Sequence, residues 1–458
     1  MDTEIPHLHR GEAGFEQRVE DLVFNSIPLG RAPDVVASPR SEDEVVEIVR
    51  AARSAGQKVA VLSGGHNWIG ASVHDRGVLI EMSAFDRIEI DPDARTARVG
   101  TAARSGAVAD ALAARNLAFP TGHCGLPGIG GFVLGGGFGL NVGRWKPACF
   151  SLRGVRVVTA AGELVVASES EHPELLWLAR GAGPAFPGVV TELEIELQDR
   201  PADTRVSSWV FALDDLAAVS RWIGEVSPEL PSNLEVAVIG LGPDRPEYPP
   251  GDGFPDHVVV VEAMAFVDDA EEAREAVAPL AAGPGFAPLG HSDLEPLPYE
   301  QIHTGFDAMC DENDRYLADT FWTDRDLEAL TPLEEAIRRA PSGKSVVMAE
   351  MFGHGEKLGL TGEDAAYSID GRTLVMAYAI WEDAASDDAN RAWHAGVRDL
   401  LEPISIGHFV NEADLHADPE RLSRCFTPAN WERLVSLRGK WDPDGLFHDP
   451  PGSGSAGA

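Results

Sequence analysis

A two-domain chain of mixed helix and sheet, α+β or α/β rather than all-β, is predicted by three features of this sequence. Capped helical patterns alternate with short apolar strands through the first two hundred residues. At 458 residues the chain is too long for one simple core. After Asp199-Arg200-Pro201 the texture changes to longer helix and strand pairs, which places the start of a second domain near residue 200.

The elements follow from local chemistry. Ser41-Glu42-Asp43-Glu44 is a capping box, with Ser41 as N-cap and Glu44 reaching back, followed by Val45, Val46, Ile48, Val49 and Ala52 at helical spacing. Gly56 ends that helix. The run Val59–Leu62 is a short buried strand, broken by Ser63-Gly64-Gly65-His66, where two glycines open backbone turns closed to other residues. Strands are expected over 78–82 and 96–101, a helix over 107–115, a hairpin of 155–159 with 164–167 around Ala161-Gly162, a helix over 171–178 and a strand over 189–197. The second domain reads as helix 213–226, strands 234–239 and 257–266, and an acidic helix 268–280. Pro- and Gly-rich stretches at 242–256 and 283–299 are turn-forming insertions, and 451–458 has the composition of a disordered tail.

Between Gly122 and Gly143 stand ten glycines in 22 residues, against 47 in the whole chain of 458. Such density excludes a packed helix and implies close approach of something flat or charged to the backbone. Two partial motifs carry no weight. Gly128-Ile-Gly-Gly-Phe-Val lacks the third glycine of a dinucleotide fingerprint, and Ser342-Gly343-Lys344-Ser345 has Arg338 where a phosphate-binding loop needs its first glycine.

Composition narrows the function. The 37 Lys and Arg against 74 Asp and Glu give a net charge of −37, a field that repels nucleic acid and anionic membranes. No stretch approaches the ~20 apolar residues of a membrane span, and Met1–Pro6 is not a leader, so a cytoplasmic protein is expected. Cys124, Cys149, Cys310 and Cys425 form no C-x-x-C pair, and the histidines show no metal spacing, so no metal is expected. His7 and His9 fall in a terminus expected to fray. The two glycine loops, V-A-V-L-S-G-G-H-N-W-I-G-A-S at 59–72 and G-H-C-G-L-P-G-I-G-G-F-V-L-G-G-G-F-G at 122–139, suit a pyrophosphate and an isoalloxazine, because glycine amides bind phosphate without lysine.

At this point the sequence resembles the berberine-bridge-enzyme-like FAD-linked oxidases of the p-cresol methylhydroxylase and vanillyl-alcohol oxidase superfamily. The likeness runs over nearly the whole chain: R-A-P-D-V-V-A-S-P at 31–39, G-G-H-N-W-I-G-A-S at 64–72, V-V-T-A-A-G-E-L-V at 157–165, L-L-W-L-A-R-G-A-G-P-A-F-P-G-V-V-T at 175–191, F-V-N-E-A-D at 409–414 and R-L-V-S-L-R-G-K-W-D-P-D-G-L-F at 433–447. It implies an α+β fold with a two-lobed PCMH-type FAD-binding domain over 1–200, completed by 405–450, and a separate α+β substrate domain over 201–404. It further implies an oxidase of secondary metabolism that passes hydride from a small organic substrate, an alcohol, sugar or natural-product intermediate, to flavin N5 and electrons to O2, giving H2O2. A dehydrogenase using another acceptor, or a flavin-containing binding or resistance protein without turnover, shares the same motifs.

Residue by residue, the resemblance assigns His66 to the flavin 8α carbon, where a neutral imidazole is the nucleophile, although Leu62 stands where the family often has arginine. Cys124 sits at the spacing of a second attachment, to flavin C6, with Gly125-Leu126-Pro127 departing from the usual loop. Ser63, Gly64, Gly65, Gly70, Gly128, Gly130, Gly131, Gly136, Val190 and Asn411 are expected to cradle the cofactor. Glu412 replaces the motif tyrosine that serves as base in several members; it is a candidate base or an ion-paired structural residue. Tyr316, Glu350, His354 and Tyr367 are further pocket candidates.

Overall fold

The computed structural model describes residues 5–251, 253–308, 310–311, 313–352, 357–418 and 420–450; His354 and the tail expected at 451–458 lie outside them. The first helix, Glu42–Ala55, starts at Ser41, whose hydroxyl accepts from the Glu44 amide at 3.3 Å. The Glu44 carboxylate reaches one residue further back than a capping box requires, to the Arg40 amide at 2.6 Å. Gly56 closes the helix at φ 64°.

Three expectations are corrected. His7–His9 is not frayed but pairs antiparallel with Val35–Ala37. The glycine-rich stretch does hold helices, Ile129–Leu134 and Val142–Trp145. Its glycines sit where side chains would collide: a Cβ on Gly130 would lie 2.5 Å from the Thr101 Cβ, so smallness lets the short helix press against its neighbour. The loop at 283–299 contains the strand Gly290–Pro296, which lies at a sheet edge, where a polar sequence protects an unpaired backbone.

Among the described residues the strands form three larger sheets and one small pair. In the first, His7–His9, Val35–Ala37, Val78–Glu81 and Val59–Leu62 lie in that order, with the last three parallel. In the second, Ile88–Asp91, Thr96–Gly100, Gly188–Glu196, Leu152–Thr159 and Leu164–Ser168 are antiparallel throughout. The third has seven antiparallel strands in the order Gly290–Pro296, Asp203–Ala212, Val258–Val267, Leu234–Leu241, Val346–Phe352, Thr373–Trp381 and Arg315–Thr323.

Side chains of the seven-stranded sheet alternate between its faces. One face, with Val236, Val238, Val261, Val347, Ala349 and Ala377, packs under Val219 and Ile223 of helix Leu216–Val226, Ala273 of helix Ala270–Val277, and Val397 and Leu401 of helix Asp387–Leu401. The other face carries Glu235, Ala237, Glu262, Met264, Met348, Glu350, Met376 and Tyr378, and it lines a cavity.

The C-terminal segment is pinned to this sheet by a buried charge. Arg421 is fully buried, donates to the Asp319 carboxylate and stands 5.2 Å from the Phe321 ring centre. Breaking a buried pair on one side leaves an uncompensated charge. Asp319→Ala should cost about 3–5 kcal/mol, read as a lowered urea midpoint. The paired replacement Asp319→Leu with Arg421→Met should recover most of that loss, because it removes both charges together.

Candidate active site

The cavity holds about 1090 Å³, at the upper end of the ~300–1,000 Å³ of small-molecule sites. Its walls are the polar face of the seven-stranded sheet and four loop segments, 63–74, 122–139, 183–190 and 409–415. The two glycine-rich loops meet backbone to backbone: a Cβ on Gly64 would stand 2.4 Å from the Gly128 nitrogen. Gly65 takes a left-handed φ of 68° and packs on the Leu22 carbonyl. Gly131 has open space where its Cβ would be, and it faces the cavity.

Ser63, Gly64, Gly65, His66, Cys124, Gly128, Gly131, Val190, Asn411, Glu412 and Glu350 all line this one cavity. Asn411 donates to the Phe132 carbonyl at 3.1 Å, tying the C-terminal loop to the glycine-rich helix, and its own carbonyl accepts from the Asn67 side chain at 3.2 Å. Gly70, Gly130 and Gly136 stand behind the wall instead. Gly70 packs against Leu29, Gly130 against Thr101 and Gly136 against the Tyr367 ring, so each lets protein approach protein. Tyr316 and Tyr367 are buried off the wall as well. The Tyr316 hydroxyl donates to the Asp311 carbonyl at 2.7 Å, and Tyr367 lies against Phe138 and Phe409.

His66 is stacked on Phe24, with centroids 4.0 Å apart and planes 1° from parallel. Its Nε2 is buried without a partner. Burial, reinforced by the Arg104 charge, lowers the imidazole to about 4, so it is neutral and nucleophilic near pH 7. The Cys124 Sγ lies 3.8 Å from the Cys310 Sγ, and the adjoining Gly125 amide donates to the Asp307 carboxylate at 2.7 Å. An orphaned imidazole nitrogen and a side-chain-free cradle fit a flat cofactor bearing phosphates.

Across the cavity stands an acidic wall. The Tyr378 hydroxyl donates to Glu412 Oε2 at 2.9 Å. Burial raises the Glu412 carboxyl, and hydrogen bonds from Tyr378 and Trp68 pull against that rise. The His123 Nε2 lies 3.0 Å from Glu235 and 3.9 Å from Glu350. Burial alone would lower His123, yet Glu235, helped by Glu350 and Glu262, holds it at about 9 and therefore protonated. Burial raises Glu350 to about 7, against the pull of His123. Tyr378, Trp68, His123, Glu235 and Glu262 were not among the residues the sequence pointed to. A lone carboxylate inside an apolar strand, as in Val-Val-Val-Val-Glu262-Ala-Met-Ala-Phe, was the available signal.

Comparison with known proteins agrees with this geometry. A family model described as FAD binding domain matches residues 33–168, and one described as berberine and berberine like matches 408–452. The FAD-linked oxidoreductase ptmO of Penicillium ochrochloron is 27% identical over 97% of this chain and 95% of its own. The (R)-6-hydroxynicotine oxidase of Paenarthrobacter nicotinovorans is 26% identical over 92% of each chain. Among solved structures, BBE-like #28 from Arabidopsis thaliana shares the fold with a TM-score of 0.84, 17% identity and 97% of each chain covered. The structure of 6-hydroxy-D-nicotine oxidase from Arthrobacter nicotinovorans gives a TM-score of 0.83 at 22% identity, covering 98% of this chain and 97% of that one. No helix among the described residues is long and apolar enough to cross a membrane. The chain therefore carries an FAD-binding segment and a berberine-like segment, and its full-length relatives are FAD-linked oxidoreductases.

Proposed function

We propose that this oxidoreductase is an oxidase of small organic alcohols, sugars or natural-product intermediates, with FAD held covalently by His66 and Cys124 and with Glu412 as the general base. FAD, when bound, supplies the hydride acceptor at N5 and the route of electrons to O2, which leaves as H2O2. The observation that carries the reading is the hydrogen-bonded Glu412–Tyr378 pair on the same cavity as His66 and Cys124. Residues 1–200 with 405–450 hold the cofactor in this reading, and 201–404 hold the substrate. The four unpaired cysteines fit a reducing, cytoplasmic setting.

The chain's own residues have separable tasks. Gly64, Gly65, Gly128 and Gly131 leave backbone exposed to cofactor oxygens. The Phe24 stack fixes the His66 ring in place. Glu412 takes the proton of the substrate hydroxyl as the neighbouring C–H gives up hydride, while the Tyr378 hydroxyl orients the carboxylate. The acidic wall disfavours carboxylated and phosphorylated substrates.

Acid precipitation of the purified protein should leave its yellow colour in the pellet. Cys124→Ala should retain that colour through His66, and the double variant with His66→Ala should lose it. Glu412→Gln should slow anaerobic flavin reduction by ~10²–10⁴-fold, the span of acid–base catalysis, with flavin loading intact; a rate near wild type would remove Glu412 from the reaction. In air, the reduced wild-type protein should reoxidise with one H2O2 formed per substrate consumed.

The pH dependence has a fixed sign. The base must be ionised, and burial raises its pKa, so flavin reduction should rise with pH through a midpoint above the usual carboxylate range. Tyr378→Phe removes a donor that favours the charged form. The acidic limb of that profile should therefore move to higher pH, and a limb that moves down would contradict the pairing.

A further inference from the structure

The cavity contains a second arrangement that flavin attachment does not use in full. The donor atoms of His66, Cys124 and Cys310 all lie within 4.8 Å of one another. Cys310 follows the helix Ile302–Asp307, a segment distant in sequence from both glycine loops. The fold therefore brings three soft donors together from three places in the chain.

From this convergence we infer that the flavin-free protein binds one soft divalent cation of the zinc class through His66, Cys124 and Cys310, and that cation and covalent flavin exclude each other. This goes beyond the proposed oxidase activity and concerns the chain before its cofactor is attached.

Three observations point to a ligand. The Sγ atoms of Cys124 and Cys310 are 3.8 Å apart. Two thiolates bound tetrahedrally at ~2.3 Å from one zinc ion stand about 3.8 Å apart, so the pair needs no rearrangement to share an ion. A disulfide, with sulfurs about 2.05 Å apart, would require closure of that gap. The third donor is a half-buried imidazole whose buried Nε2 has no partner and whose orientation Phe24 fixes. Both thiols are half-buried, and the site opens on a cavity large enough to supply a fourth ligand as water.

The chemistry balances without an oxidant. The ion binds one neutral imidazole and two thiols, each thiol losing its proton to solvent, so two protons are released per ion and no electrons move. Attachment of flavin through His66 and Cys124 would consume two of the three ligands and leave Cys310 as a single weak donor. An occupied metal site would in turn cover both nucleophiles.

Full-length protein produced under riboflavin limitation provides the flavin-free chain, and Co²⁺ is the probe because thiolate ligation gives it intense near-ultraviolet charge-transfer absorption. One equivalent of Co²⁺ should develop that absorption and be displaced by Zn²⁺. Cys310→Ser and Cys124→Ser should each weaken binding by at least about tenfold, the lower bound for disturbing a metal ligand's surroundings. FAD added to the Co²⁺-loaded protein should give no acid-stable yellow colour until a chelator is supplied. Cys310→Ser should attach FAD normally whether or not Co²⁺ is present. Absence of the charge-transfer band, its persistence in the Cys124→Ser/Cys310→Ser double variant, or a Cys124–Cys310 disulfide in the flavin-free protein would overturn the site. If the flavin proves non-covalent in all conditions, the attachment reading fails while the Co²⁺ spectrum still decides the metal site.

Discussion

The contact between Gly64 and Gly128 is the constraint on which the rest of the site depends. Each occupies the space that a Cβ on the other would need, 2.4 Å from the Gly128 nitrogen in one direction and 2.8 Å from the Gly64 nitrogen in the other. Any side chain at either position would wedge the loops apart. Because they touch, His66 two residues after Gly64 and Cys124 four residues before Gly128 face the same space. Asn411 then closes the third side by bonding the Phe132 carbonyl and receiving Asn67. Backbone approach, rather than side-chain packing, therefore sets the distance between the two candidate attachment residues.

What the sequence made legible was local. A capping serine, a positive-φ glycine stop and apolar runs act over a few residues, which is why Glu42–Ala55, Val59–Leu62 and the 155–159 part of Leu152–Thr159 could be placed from pattern alone. The glycine loops were legible for the same reason, but their individual roles were not. Gly131 faces the cavity while Gly130, its neighbour, is pressed on Thr101, and nothing in Gly-Gly says which glycine spares room for ligand and which for protein. Tyr316 and Tyr367 had the right chemistry for a pocket, yet the pleat of Arg315–Thr323 turns Tyr316 onto Trp68, and Tyr367, outside any strand, packs on Phe138.

The acidic wall was beyond local reading because register creates it. Glu262 and Glu350 both lie opposite Ala237, on its two flanking strands, and Glu235 projects on the same face two residues earlier. A shift of one residue in any of these strands would send its carboxylate into the helix-covered core. Tyr378 enters from a further strand, so the group hydrogen-bonded to Glu412 is 34 residues away in sequence. The motif lacks a tyrosine at 412, but a phenol stands within hydrogen-bond distance of the carboxylate there.

That arrangement also explains how so acidic a site can persist. His123 is held protonated beside Glu235, 3.0 Å away, while burial raises the carboxyls of Glu350, Glu262 and Glu412. Glu350 in particular stands in the field of Glu235, Glu412 and Glu262, and like charges nearby disfavour its ionised form. Strand register and the 409–415 loop place these carboxyl groups on the cavity wall in advance, so positive charge on a bound molecule would meet oxygens already in position.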